Sequence, residues 1–357
     1  MPVILAANVE GVKILFDLFI MLLLNKLWLK LDCNCIFNFG NLKNTGEKIM
    51  RSKLYVFILI ISIIALNFSA LAQAKPTPTR FLNVITEPNT IVWIDDIKRG
   101  TTDSTGKLLI KNAPAGIRKL RVRANGFKEV SQTLTAVQKG DVKIALVKTT
   151  DESELTFQQA ESEKDKQKAA ELYQKAVKLN PKYVQAYIGL ARALTDSDSE
   201  EALKAIATVR KLRPGYSEAS AVEGRIYSSD AEEEKAIASF KRAIAEGKGN
   251  QPEAHTGLGL LYKDKAQGAG SAGDYEQEKA NYAVAASELK LGIAQLSGAP
   301  EASTLYQLLG DIYEKMQDYK QAIATYEEFI KKFPDSEDLS AVRSMIVQLK
   351  KQMNSPQ

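Results

Sequence analysis

The sequence predicts a multidomain chain in two parts of different class, a small all-β antiparallel sandwich followed by an all-α solenoid of repeated helical hairpins. Three observations carry this expectation. Short β-prone runs separated by turn residues fill 80–148, and Ala-, Glu-, Lys- and Leu-rich segments of helical periodicity fill 155–352. Within the second stretch the same apolar and proline positions recur, with Pro181 and Pro214 33 residues apart. A chain of 357 residues, 45% hydrophobic and 25% charged, has room for such a pair of domains.

The first segments read as an address and not as part of the fold. Met50-Arg51-Ser52-Lys53, an apolar run over 54–66 and Ala70-Leu71-Ala72-Gln73-Ala74 are the charged, apolar and small-residue regions of a secretory signal peptide, 50–74. The apolar run is shorter than the ~20 residues of an ordinary membrane span. The expected product is therefore exported, periplasmic or secreted after cleavage near Ala74, or membrane-anchored if the signal stays uncleaved. Residues 1–49 precede that signal awkwardly and are expected to be a spurious or pre-signal extension, with Met50 as the start; the competing expectation is two membrane-inserted segments forming a hairpin. Cys33 and Cys35 both lie before Met50, and His255 is the one histidine. A mature chain then has no thiol, which removes disulfides and a cysteine nucleophile and leaves little for a zinc site or a Ser-His-Asp system. Neither a nucleophile elbow, a phosphate loop nor an HExxH motif occurs, so no catalytic residue, cofactor or metal site is expected.

After a Pro-containing linker, 75–79, candidate strands fall at 81–85, 91–94, 108–110, 120–122 and 142–146. Turns are expected at Glu87-Pro88-Asn89, Lys98-Arg99-Gly100, Ser104-Thr105-Gly106, Pro114-Ala115-Gly116, Asn125-Gly126 and Lys139-Gly140-Asp141. Leu120-Arg121-Val122-Arg123-Ala124 alternates most clearly, one face core and the other a pair of arginines. Asp95 and Asp96 read as a turn between strands and not as paired acid–base carboxylates. Trp93, between Val92 and Ile94, reads as a buried side chain ahead of a sugar-stacking platform. The order Thr86-Glu87-Pro88, a strand ending Asp95-Asp96, Gly100, Pro114-Ala115-Gly116 and Asn125-Gly126-Phe127 resembles a PEGA domain over 80–148, and is similar also to carboxypeptidase regulatory-like sandwiches. Either resemblance implies a non-catalytic, envelope-associated accessory domain.

Charge divides sharply between the two parts. Residues 75–150 hold 14 Lys+Arg against 6 Asp+Glu, net +8, and residues 151–357 hold 27 against 33, net −6. The basic surface expected on the β-domain comprises Arg118, Lys119, Arg121, Arg123 and Lys128. It suits an anionic envelope polymer or a membrane surface, or serves solubility alone. Nucleic acid is not an expected partner for an exported chain whose larger part is acidic.

In the helical part, Ala169, Tyr173, Ala176 and Pro181 recur as Ala202, Ile206, Val209 and Pro214, as Ala236, Phe240, Ala243 and Pro252, and as Ala322, Tyr326, Phe329 and Pro334. First helices show Tyr187-Leu190-Ala191-Leu194, Leu258-Gly259-Tyr262 and Tyr306-Leu309-Gly310-Tyr313, with Ser220-Glu223-Gly224-Tyr227 a weaker copy. These positions resemble tetratricopeptide repeats (TPR), so the solenoid is expected to be a TPR array. The segment 264–274, rich in Gly, Ala and Ser, is expected to be a loop inserted in the fourth unit, whose second helix has an ambiguous register between Ala285 and Ala286. Polar 151–168 is expected to cap the array at one end, and Leu339, Val342, Met345, Ile346 and Leu349 to form the closing helix at the other.

Stacked hairpins leave a concave groove lined by first helices. The resemblance places partner-binding positions at Gln185, Ile188, Arg192, Arg225, Lys263, Gln307 and Asp311, for a protein or peptide partner. Arg192 and Arg225 occupy equivalent places in adjacent repeats and are candidates to clamp a carboxylate of a bound peptide, or are solvated helix arginines. His255 reads as a core filler. The leading expectation is a non-catalytic cell-envelope adaptor with its β-domain docked on an envelope surface; the alternative is a glycan- or cell-wall-binding module with the repeats as spacer.

Overall fold

The alternating runs become strands whose apolar side chains meet between two sheets. In the computed structural model, which describes residues 79–354, the strands are β1 (Thr79–Ile85), β2 (Ile91–Ile94), β3 (Ile97–Thr101), β4 (Lys107–Pro114), β5 (Arg118–Arg123), β6 (Val130–Leu134) and β7 (Gly140–Lys143). The expected extension, signal peptide and all of the linker but Thr79 lie outside the described residues. One sheet has the order β4-β1-β7 and the other β3-β2-β5-β6, with Leu82, Val84, Val92, Ile94, Leu120, Val122 and Leu134 fully buried between them.

Two features differ from the expected all-antiparallel set of five strands. β7 runs parallel to β1, pairing Leu82 with Gly140 and Val84 with Val142. The chain passes from β6 in one sheet to β7 in the other and so arrives pointing the same way as β1. β3 and β6 are additional strands. As sheet edges they are held by backbone pairing to β2 and β5, and their sequences, IKRGT and VSQTL, carry little of the apolar signal a central strand needs. Asp95 and Asp96 form the two-residue β2–β3 turn, with φ of 52° and 63°, the left-handed pair that a tight hairpin requires. Gly116 and Gly126 take φ of 88° and 81° in their turns.

Eleven helices follow: α1 (Glu152–Ser162), α2 (Lys166–Leu179), α3 (Val184–Leu194), α4 (Ser199–Leu212), α5 (Ser217–Ser229), α6 (Glu233–Glu246), α7 (Pro252–Ser271), α8 (Tyr275–Leu296), α9 (Ala302–Lys315), α10 (Tyr319–Lys332) and α11 (Leu339–Asn354). Aspartates at 151, 165, 198, 274 and 318 start five of them by accepting amide N–H bonds of the first turn. Ten helices pair into five hairpins and α11 closes the stack. The recurrent second-helix positions are all interior: Ala202, Ala236, Ala243, Ala322 and Phe329 have no exposure. Small residues let the helices approach. A Cβ on Gly224 of α5 would lie 2.6 Å from the Phe240 ring, and one on Gly310 of α9 2.3 Å from Tyr326.

The expected loop 264–274 is helical through Ser271. Both partners of the fourth hairpin are lengthened, α7 to 20 residues and α8 to 22, and only a tight turn remains at 272–274. Ala266 is fully buried with Tyr282 in the adjoining core, and packing of this kind overrides the roughly 1 kcal/mol that each helical glycine costs. Ala285 and Ala286 are both buried, and Leu289, fully buried against Gly259, occupies the Tyr326-equivalent place. Of the closing-helix residues, Val342, Ile346 and Leu349 are buried, whereas Met345 is 43% exposed and lies outside that core. Among the described residues no helix is long and apolar enough to cross a membrane.

Candidate functional site

The β-region and the helices belong to one compact unit, and the β-region is anchored to the array at two places. At the first, α1 meets the arginine face of the sheet. Arg123 Nη2 donates to Glu161 Oε2 at 2.6 Å, and its guanidinium lies over the rings of Phe157 at 4.7 Å and Trp93 at 4.9 Å. Gln158 accepts from the Gly126 amide and donates to the Phe127 carbonyl, both at 2.8 Å, and Glu154 accepts from the Glu129 amide at 2.9 Å. The polar segment 151–168 is split between α1 and the start of α2, and α1 is no solvated end: its polar side chains bond the β-region while Phe157 and Ala160 enter the helical core. At the second anchor, Arg99 of β3 donates to the Leu296 carbonyl at 2.6 Å at the end of α8, and Ile97 packs on the C-terminal helical core.

This arrangement corrects the expected basic surface. Arg123 is 5% exposed, Arg121 stacks on Trp93 at 4.3 Å beside Glu129 and Asp96, and Arg118 pairs with Asp95 at 3.2 Å. Arg123 lies in the joint between the two parts, Arg121 and Arg118 are held by acids of the β-region itself, and only Lys119 and Lys128 of that set are exposed. The glycan-binding alternative loses Arg121 and Arg123, two of the five side chains that motivated it. Trp93 is buried, at 9% exposure, beneath the arginines and apart from the sandwich core. The unbroken apolar run Ile91-Val92-Trp93-Ile94 is the sequence signal for a strand covered on both faces.

Between the β2–β3 hairpin and helices α3, α5, α7 and α9 lies a cavity of about 660 Å³. Its hairpin wall includes Trp93 and Ile97, and its helical wall Arg192, Arg225, Glu253 and Leu260. Arg192 and Arg225 do converge on a carboxylate, but that carboxylate is the chain's own Glu253. Arg192 grips Glu253 with two bonds of 2.7 and 2.6 Å and also reaches Glu218 at 3.1 Å, and Arg225 donates to Glu253 at 3.2 Å. Glu253 sits in the first turn of α7, where the helix end favours negative charge. Neither alternative for the pair, a clamp on a peptide carboxylate or two solvated arginines, describes it: the two guanidinium groups are satisfied internally. Ile188, 4% exposed, is core and not groove, and Gln307 donates to Asp338 at 2.8 Å. Gln185, Lys263, Gln307 and Asp311 are half-buried and do not line this cavity. His255 is a buried filler whose Nδ1 meets Glu288 at 2.7 Å.

Burial alone raises the Glu253 carboxyl, and the charges and hydrogen bonds of Arg192 and Arg225 more than offset it, so the group lies below the usual carboxylate range. A carboxyl depressed in the folded state contributes stability above its unfolded value, and that stability is lost as pH falls through the folded one. Glu253→Gln is expected to lose about 1–3 kcal/mol at neutral pH. Below about pH 4 its stability curve should be flatter than that of the unaltered chain. Urea midpoints measured across pH check this; parallel curves for the two proteins would show that Glu253 is not a linked group.

Tetratricopeptide-repeat models match residues 162–215 and 305–336, and the chain carries tetratricopeptide repeats. No curated protein matches the sequence. Among solved structures, a thermophilic TPR protein of Thermus thermophilus is 19% identical, with 55% of this chain and 99% of that chain covered and a TM-score of 0.41. A MamA protein is 20% identical over 52% of this chain and 94% of its own, with a TM-score of 0.36. Yeast Tom70 is 15% identical over 57% of this chain and 41% of its own, with a TM-score of 0.44.

Proposed function

We propose that this chain is an exported, non-catalytic adaptor of the cell envelope, whose repeat array holds a segment of a partner protein in the cavity walled by its own β2–β3 hairpin. The β-region, read as a PEGA-like domain, then serves as a built-in wall of the binding site. The observation that carries the proposal is Leu260. This large apolar side chain on the first helix of a hairpin is 41% exposed, and it faces a cavity whose wall also includes half-exposed Arg225, with Trp93 and Leu305 largely buried behind it. An apolar anchor beside a few charges is the composition of a site that recognises a short peptide segment.

A photo-crosslinking residue placed at 260 in the full chain, expressed in its own cells, tests the reading. The expected result is one dominant adduct, absent from a chain labelled at Val137, which is 85% exposed on the β-region, and lost with Arg225→Glu. Equal labelling from 260 and 137 would overturn it. The export part of the proposal rests on the signal-like sequence 50–74, and N-terminal sequencing of the cellular protein is expected to start at Lys75.

A further inference from the structure

A second cleft, of about 650 Å³, opens where β4 meets the loops that follow α8 and α10. Arg99, Lys111, Lys331 and Lys332 line it, against the single acid Asp335. The three lysines are exposed, and none has an ion-pair partner among the described residues.

Arg99 is the buried member of the group, at 7% exposure, and among the described residues it makes no ion pair. Its Nη1 donates to the carbonyls of Leu296 and Ser297 at 2.6 and 3.4 Å, and its Nε is buried with no acceptor. Burial lowers its pKa to about 10, with Asp95 and Glu301 opposing only at longer range. The end of α8 supplies roughly half a negative charge. Capping that helix accounts for Nη1, but not for the idle Nε–H or for three unpaired lysines brought to one cleft from β4 and α10. A buried charge without a full partner is costly, and an anion entering the cleft would complete the arrangement.

We propose that this cleft binds a phosphate-bearing ligand, with Arg99 as the buried donor and Lys111, Lys331 and Lys332 as the charges at its mouth. A phosphate fits better than a single carboxylate because its several oxygens match donors arriving from separate elements, with Ser303, Ser336 and Asn112 also on the wall. The cleft has the volume of a small-molecule site. It is lined by none of the residues that line the cavity beside Leu260, so this proposal goes beyond the adaptor reading and does not depend on it.

The test uses the full chain, titrated calorimetrically with inorganic tripolyphosphate and co-sedimented with phosphatidylcholine vesicles with and without phosphatidylglycerol. Two variants carry the same change of charge: Lys111→Glu/Lys332→Glu in the cleft, and Lys119→Glu/Lys128→Glu elsewhere on exposed positions. Tripolyphosphate is expected to bind once per chain, about tenfold or more weaker in the cleft variant and changed less than about twofold in the control. The same variant dependence seen only with phosphatidylglycerol vesicles would support the phosphate site and assign its source to a lipid headgroup. No binding in either arm, or equal weakening in both variants, overturns the proposal.

Discussion

Phe240→Ala is expected to lower the unfolding free energy by about 3–5 kcal/mol, the range for emptying a buried aromatic site. The ring is 1% exposed and is held from both sides: a Cβ on Gly224 of α5 would lie 2.6 Å from it, and a Cβ on Gly257 of α7 2.3 Å. One side chain therefore joins its own hairpin and couples it to the next. Its neighbours in the small central core are Ala221, Ala236, Ala243, Ala254, Leu258 and Leu261, none of them large enough to fill the space it would leave. In a stack stabilised by nearest-neighbour contacts, loss at this place also uncouples the hairpins on either side. Denaturant unfolding followed by circular dichroism should show a lower midpoint and a broader or split transition. A loss of less than about 1 kcal/mol with a single sharp transition would mean that the flanking helices close the cavity and that Phe240 does not couple the repeats.

Arg123→Ala is expected to cost about 2–3 kcal/mol and to loosen the β-region from α1. The figure is set below the roughly 3–5 kcal/mol of a fully buried pair because Glu161 keeps the hydrogen bond from the Tyr173 hydroxyl at 2.8 Å and, with 36% of its side chain exposed, can hydrate. The rest of the cost is packing, since the guanidinium fills the space between Trp93 and Phe157. Trp93 reports on the joint directly. In a Trp28→Phe background it is the one tryptophan left, and its emission should shift to the red as the arginine cover is lost. An unchanged emission maximum together with unchanged stability would show that Gln158 and Arg99 hold the β-region without Arg123.

Much of the helical part was legible because its signals are local and repeated. An alanine or aromatic that recurs near every 33 residues meets the same neighbour in each hairpin, so Ala202, Ala236 and Ala322 are all fully buried for the same reason. The segment 264–274 reads as a loop from sequence because glycine propensity is local evidence, whereas Ala266 and Tyr282 pack across the hairpin. Strands β3 and β6 escape sequence reading because an edge strand is held by its neighbour's backbone and needs little apolar pattern of its own.

The candidate site was legible only in part. The equivalence of Arg192 and Arg225 left two readings open, a clamp for a peptide carboxylate or two solvated arginines, and the actual partner, Glu253, lies 61 residues from Arg192 and is not recognisable as such from spacing. By itself the sequence determined the order of the two parts, the repeat unit and the burial of its recurrent positions, all properties of segments a few tens of residues long. Only the tertiary structure decided where the arginine face of the β-region would go. Arg123 is met by α1, and a separate anchor joins Arg99 of β3 to the end of α8 across 197 residues; contacts at such separations leave no period in the chain that specifies them.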